Sequence, residues 1–320
     1  MKLHGLGYIG LKASDPSALL SFWTDVVGMM PARALPGESF GSPSVTGSGP
    51  VSGGSGKAPD GSIYLKMDDY QWRIGIHPDS TSGLAYLGFE VEDDVALAAA
   101  MAEIAAADVQ ITQGTPEEVQ ARGVCGLAWC TDPCGNRVEL FYGPVHDRHF
   151  VSPTETQFKT GELGLGHALV FVDDLEASLG FYRGALGFKR SDFITFGREM
   201  SGHFLRCTPR HHSIALIHLG PFAGLNHLMV EVTSLDLLGA ALDRATEAGL
   251  TITRSLGRHL NDKTVSFYMQ SPAGFEVEIG FDSVLVDEAI WCDREAAGGE
   301  IWGHKTGNPN AFKESAHSLA

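Results

Sequence analysis

Four polar residues stand out, two of them, His212 and His227, in runs that alternate apolar and polar side chains, and two, His167 and Glu278, in apolar runs that belong with them. His167 lies in Gly164-Leu165-Gly166-His167-Ala168-Leu169-Val170-Phe171-Val172, and His227 in Leu225-Asn226-His227-Leu228-Met229-Val230-Glu231-Val232. Glu278 lies in Phe275-Glu276-Val277-Glu278-Ile279-Gly280, and His212 in Arg210-His211-His212-Ser213-Ile214-Ala215-Leu216. A period of two marks a half-buried strand, so two imidazoles and a carboxylate are expected on three separate strands, with a further histidine nearby. Two neutral imidazoles and one carboxylate form the ligand set of a non-haem ferrous centre with open positions. Three ligands leave about three octahedral positions free, room for an organic substrate and dioxygen on one ion. All-oxygen ligation would point to magnesium or calcium, and thiolates to zinc. Zinc on two histidines and a glutamate comes as a rule with a closely spaced histidine pair on one helix, a pattern missing here. Mn(II) is compatible with the same ligands.

The elements that must carry these residues are written twice. Gly5-Leu6-Gly7-Tyr8-Ile9-Gly10-Leu11 lines up with Gly164-Leu165-Gly166-His167-Ala168-Leu169-Val170. A helix start follows in each copy, at Asp15-Pro16 and at Asp174, where an aspartate can cap and proline suits the first turn. Ala85-Tyr86-Leu87-Gly88-Phe89-Glu90-Val91 pairs with the run around His227. Helices follow near Val95 to Ala107 and Leu235 to Ala248, and each copy ends in a turn and a strand carrying Glu139 or Glu278. The order β-α-β-β-β is thus written about four times. An α+β fold of two tandem modules follows, each module a pair of βαβββ units curling into a half-open β-barrel. Boundaries fall at 1–143 for the N-terminal module, 144–160 for a linker, 161–285 for the C-terminal module and 286–320 for a tail that frays after Gly307.

The copies disagree where it matters. Tyr8 stands at the place of His167 and Tyr86 at the place of His227, while Glu139 keeps the type of Glu278. One module reads as working and the other as structural, without metal ligands. A lone histidine in such a strand would more simply be a core residue; three ligand types at matched positions reverse that balance. His211 should point away from His212 if the strand alternates, to a supporting or surface position. His218 would lie about 20 Å further along an extended strand and is left out. His4, His77, His146, His149, His203, His304 and His317 show no comparable pattern. The Gly/Ser/Pro-rich stretch 36–62 reads as a surface loop, with a lid or subunit contact as its functional alternative.

Bulk properties narrow the class. A net charge of −16 over 320 residues argues against nucleic acid or an anionic membrane as partner. No apolar run reaches the roughly 20 residues of a membrane span, and the start lacks a signal peptide's apolar core. Five cysteines without an export signal read as free thiols in a reducing cytoplasm. Cys130 and Cys134 have no second pair to complete a structural zinc site.

The second half resembles the type I extradiol ring-cleavage dioxygenases of the vicinal oxygen chelate superfamily, in particular the two-module 2,3-dihydroxybiphenyl 1,2-dioxygenase group. The resemblance rests on the four runs above together with Leu256-Gly257-Arg258-His259-Leu260-Asn261-Asp262 and Val265-Ser266-Phe267-Tyr268, taken in their order along the chain. It implies that His167, His227 and Glu278 bind Fe(II) and that His212 is the acid–base residue beside the catechol. His259 and Tyr268 would hydrogen-bond the substrate oxygens, with Asn261 and Asp262 orienting His259 or the substrate. Phe204, Leu169 and Phe193 are candidate walls of an apolar pocket. The implied substrates are a bicyclic or polycyclic catechol and O2, and family habit favours a homo-oligomer. Two rivals remain at this stage: a metal-dependent isomerase or epimerase of the same superfamily, and a metal-free small-molecule binding protein. Tyr8 and Tyr86 speak against the first, which draws ligands across modules; His212, His259 and Tyr268 around a full triad speak against the second.

Overall fold

The computed structural model describes residues 1–38, 54–197 and 199–306. The middle of the Gly/Ser/Pro-rich stretch, 39–53, and the chain after Thr306, where fraying is expected, lie outside the described residues.

Two sheets carry the molecule. The first holds β1 (Leu6–Ala13), β2 (Met30–Pro31), β3 (Ile63–Lys66), β4 (Ile74–Pro78), β5 (Gly83–Glu90), β6 (Ile111–Gln113), β7 (Gly126–Thr131) and β8 (Arg137–Tyr142). Their spatial order is β2-β3-β4-β1-β5-β8-β7-β6. The second holds β9 (His167–Phe171), β10 (Lys189–Thr195), β11 (Ser201–Arg206), β12 (Ile214–His218), β13 (Gly224–Glu231), β14 (Ile252–His259), β15 (Val265–Gln270), β16 (Glu276–Phe281), β17 (Arg294–Glu295) and β18 (Glu300–Trp302). Their order is β17-β10-β11-β12-β9-β13-β16-β15-β14-β18. Neither sheet closes on itself. The helices are α1 (Asp94–Ala106), α2 (Pro116–Arg122), α3 (Leu175–Leu179) and α4 (Leu235–Glu247). Four βαβββ units run through the chain, two per sheet, giving an α+β fold of two tandem modules.

Local chemistry explains the helices. Asp93 accepts from Ala96 N at 2.8 Å and Ser234 from Leu237 N at 3.2 Å, capping α1 and α4; such caps are worth about 1 kcal/mol each. Leu97, Ala100 and Ile104 of α1, and Leu238, Ala241 and Ala245 of α4, form the buried stripes. The two remaining crossovers are not the regular helices expected. Asp15 caps a single 3₁₀ turn, Pro16–Leu19, followed by a π-helical stretch, Phe22–Val27. Asp174 caps α3, which widens into Gly180–Ala185. The wider turn lets Phe22, Trp23, Val26 and Val27 all reach the core, as Phe181 and Tyr182 do in the second copy.

Register makes the duplication quantitative. Tyr8 pairs with Gly88 as His167 pairs with Met229, and Gly88 pairs with Glu139 as Met229 pairs with Glu278. Tyr86 pairs with Arg137 as His227 pairs with Glu276. Tyr8 and His167, Tyr86 and His227, and Glu139 and Glu278 are therefore positional equivalents. One continuous apolar core joins both modules with the helices. On the other sheet faces the modules part company. Tyr8, Tyr64, Trp72, Tyr86 and Phe141 fill the N-terminal one. Gly10 and Gly88 make room for two of those rings: a Cβ at Gly10 would stand 2.3 Å from Tyr86 Cζ, and one at Gly88 2.2 Å from Tyr8 Cε2. The C-terminal counterpart is small (Leu169, Phe171, Ala215, Ile217) and leaves a cavity.

Candidate metal centre

His167 opens β9, His227 sits in β13 and Glu278 in the adjacent β16. All three are buried. His167 Nε2 and His227 Nε2 are 3.2 Å apart, and Glu278 Oε2 lies 3.4 and 3.3 Å from them. Ligands held about 2.1 Å from one divalent ion at near-right angles stand about 3 Å apart, so the triangle fits a single ion on one face. The donor chemistry agrees. His227 Nδ1 is hydrogen-bonded to Asn226 Oδ1 at 2.8 Å, which as an N–H donor leaves the Nε2 lone pair aimed inward. Glu278 Oε1 is buried without a hydrogen-bond partner.

Burial and the facing charges set the protonation of the cluster. Burial opposes charge on Glu278, yet the facing imidazoles of His167, His227 and His259 hold its carboxyl well below the usual range. Burial pushes the His167 imidazole down, against the pull of Glu278. It pushes His212 further down, helped by the neighbouring His167 and His211.

His212 lies on the short approach to β12, its ring 3.9 Å from that of His167 and edge-on to Phe204 at 5.0 Å. Because β12 begins only at Ile214, strand alternation does not apply to His211. His211 is buried behind His212, Nδ1 to Nδ1 at 3.1 Å, with its Nε2 3.2 Å from Asp192 Oδ2. His259 ends β14, and its Nε2 shares a 2.8 Å hydrogen bond with the Tyr268 hydroxyl while standing 3.5 Å from Glu278 Oε1. Burial disfavours charge on His259, but Glu278 and Glu300 push its basicity well above that of free imidazole. Burial and then Glu278 raise the Tyr268 phenol far above its ordinary value, keeping it a neutral donor.

These groups share one end of a cavity of about 520 Å³, walled elsewhere by Leu169, Ile194, Phe204, Ile217, Leu219 and Phe222. Asn261 and Asp262 line it too, and Asn261 presents a buried amide nitrogen with no partner. Asp262 is turned toward His212: Thr264 N binds its Oδ1, and its Oδ2 lies 3.9 Å from His212 Nδ1. Phe193 is not in the wall; it stacks on His203 on the far side of the β10–β11 hairpin. His218 also stays outside, bonded to the Val172 carbonyl oxygen. The sequence reading missed Arg254, Glu300 and His304, which line the cavity. Arg254 sits over the Tyr268 ring at 4.5 Å. The signal for His304 was a Trp-Gly-His run in a segment read as a tail, and Glu300 carried none.

The N-terminal module shows what fills the same frame without an ion. The Arg122 guanidinium bonds both oxygens of Glu139 at 2.8 and 2.9 Å, Arg137 adds 2.7 Å, and Tyr8 donates at 2.6 Å. Arg122 also lies 3.8 Å over the Tyr86 ring. Trp72, at the register position of His212, stacks on Tyr8 at 4.8 Å. Among the described residues, the His/Asp/Glu groups close enough to hold an ion all fall in the C-terminal module, and no helix is long and apolar enough to cross a membrane.

Comparison with known proteins agrees with this duplication. The family model described as Glyoxalase/Bleomycin resistance protein/Dioxygenase superfamily matches residues 5–140 and again 164–279. An iron-dependent extradiol dioxygenase of Rhodococcus jostii is 35% identical over 315 residues, covering 95% of this chain and 97% of its own. A biphenyl-2,3-diol 1,2-dioxygenase of Metapseudomonas furukawaii is 34% identical over 324 residues, covering 99% and 98%. A solved halotolerant catechol dioxygenase is 32% identical with a TM-score of 0.84, over 97% of this chain and 96% of that one.

Proposed function

The chain belongs to the Glyoxalase/Bleomycin resistance protein/Dioxygenase superfamily and is an extradiol catechol dioxygenase within it, and we propose that its reaction centre is a ferrous ion held by His167, His227 and Glu278. The substrate is a bicyclic catechol, opened beside one hydroxyl with both atoms of O2 entering the product. One observation carries this reading: the two imidazoles and the carboxylate converge within 3.4 Å at one end of a cavity whose far walls are apolar. The cavity volume lies within the range of about 300–1,000 Å³ common to small-molecule sites.

Bound there, Fe(II) would supply open coordination positions and a path for electrons from the ring to oxygen, with one carboxylate limiting the charge imbalance against a catecholate dianion. The protein groups do the rest. Tyr268, a neutral phenol, donates to a catechol oxygen without bringing charge of its own, and His259 holds that phenol in place. Asn261 offers the amide hydrogens that have no partner within the protein. His212, packed against His167, takes a proton as the catechol ionises and returns it to the departing oxygen, the acid–base role an imidazole serves well. Asp262 and His211 flank His212 and fix its ring. Phe204 and Leu169 exclude water from the reacting face.

The test is oxygen uptake by enzyme reconstituted anaerobically with ferrous iron, using 2,3-dihydroxybiphenyl and 1,2-dihydroxynaphthalene. One O2 consumed per catechol, with a yellow ring-opened product, is expected. No uptake with any catechol would overturn the assignment.

A further inference from the structure

The two outermost strands of the catalytic sheet come from one short segment. β17 lies parallel to β10 at one edge, and β18 lies antiparallel to β14 at the other. Only residues 296–299 separate them, and five peptide steps reach at most about 18 Å. The chain after Leu285 therefore straps the two edges of the open sheet together. Its near end is fixed by Trp291, whose indole donates to the Ser191 carbonyl oxygen at 2.8 Å, and by Glu288 between Lys189 and Arg206. Its far end lies directly on β14. Gly303 has φ +78°, and a Cβ there would stand 2.2 Å from the Leu256 carbonyl oxygen.

The strap delivers two side chains to the cavity. Glu300 Oε2 lies 3.1 Å from His259 Nδ1 and is hydrogen-bonded by His304 Nδ1. His304 is buried, its ring 4.2 Å from that of His259, and its Nε2 meets the Ser266 carbonyl oxygen at 3.0 Å. Two ring nitrogens thus share one carboxylate oxygen, the pattern of two N–H donors on one acceptor. The opposite nitrogen of His259 is the one that meets Tyr268.

We propose that Glu300 and His304 are positioning residues of the ring-cleavage site, holding the His259 imidazole so that its Nε2 stays on the Tyr268 hydroxyl. The inference rests on the reading above, in which Tyr268 donates to a catechol oxygen and His259 holds its hydroxyl. It makes the strap part of the reaction centre rather than a cover. Groups that orient a metal-ligating imidazole typically matter by about 10- to 100-fold, and a loss of that order is expected for groups that orient His259.

The test pairs kinetics with a readout independent of turnover. Glu300→Ala should lower kcat for 2,3-dihydroxybiphenyl by about 10- to 100-fold while bound iron stays at the wild-type level. Glu300→Gln, which keeps an acceptor oxygen, should recover part of that loss, and His304→Phe should act in the same direction as Glu300→Ala. In the metal-free protein, the histidine side-chain NMR signals of His259 should shift in Glu300→Ala. Wild-type kcat in Glu300→Ala, or a change confined to KM with unmoved His259 signals, would overturn the proposal. If the wild-type protein consumes no oxygen with any catechol, the function falls on its own, and the NMR shift still decides whether Glu300 holds His259.

Discussion

The Tyr8 hydroxyl donates a 2.6 Å hydrogen bond to Glu139, and by strand register the pair stands where His167 and Glu278 face each other at 3.4 Å. The same frame thus answers a buried carboxylate in two ways. In the N-terminal module, phenol and guanidinium neutralise it from within the chain. In the C-terminal module, on the proposed function, two imidazoles would leave the neutralising charge to an ion.

That contrast predicts that imidazoles alone will not restore a second site. Tyr8→His combined with Tyr86→His should still bind one iron per chain by elemental analysis, because Arg122 already occupies the carboxylate. Two ions per chain in this double variant would show that Arg122 is no obstacle.

Arg122→Met should leave iron content and turnover intact but weaken the fold. Glu139 is fully buried, and removing one partner of a buried ion pair costs about 3 kcal/mol. A lower midpoint in urea unfolding is the expected result; an unchanged midpoint would mean that Arg137 and Tyr8 suffice.

His227→Ala removes one corner of the triangle and should abolish stoichiometric iron binding, with the circular dichroism spectrum retained. Full iron occupancy would strike His227 from the ligand set.

His212→Phe keeps the ring packing on His167 and Phe204 but removes the exchangeable proton. Iron and catechol should still bind, while turnover falls by about 10²–10⁴. An unaltered rate would place the proton transfer elsewhere.

On the proposed function, the apolar wall would accommodate the second ring of the substrate. Leu219→Trp should fill part of the cavity away from the triad and lower kcat/KM for 2,3-dihydroxybiphenyl more than for catechol itself. An equal loss on both would dissociate Leu219 from the second ring.

Much of this architecture is legible in the chain because period-2 patterning and duplication are local signals. His167, His227 and Glu278 could be matched to Tyr8, Tyr86 and Glu139 from neighbouring residues, and strand register bears out that alignment. What stayed hidden depends on contacts distant in sequence. Arg122 reaches Glu139 from the end of α2, and nothing in Pro116–Arg122 announces that partner. His304 meets His259 across 45 positions of chain, through a strand pairing that no pattern in Glu300–Trp302 marks. His211 takes a supporting position as expected, but behind His212 rather than across a strand, because β12 has not yet begun there. Phe193 was assigned to the wall from its type, but only the hairpin's register decides which face each residue takes.

Iron-edge anomalous diffraction from crystals of active, anaerobically prepared enzyme tests the central claim most directly. A single peak between His167 Nε2, His227 Nε2 and Glu278 Oε2, with none beside Glu139, is the predicted result. A peak at any other place, or an active crystal with no iron at the triad, would contradict it.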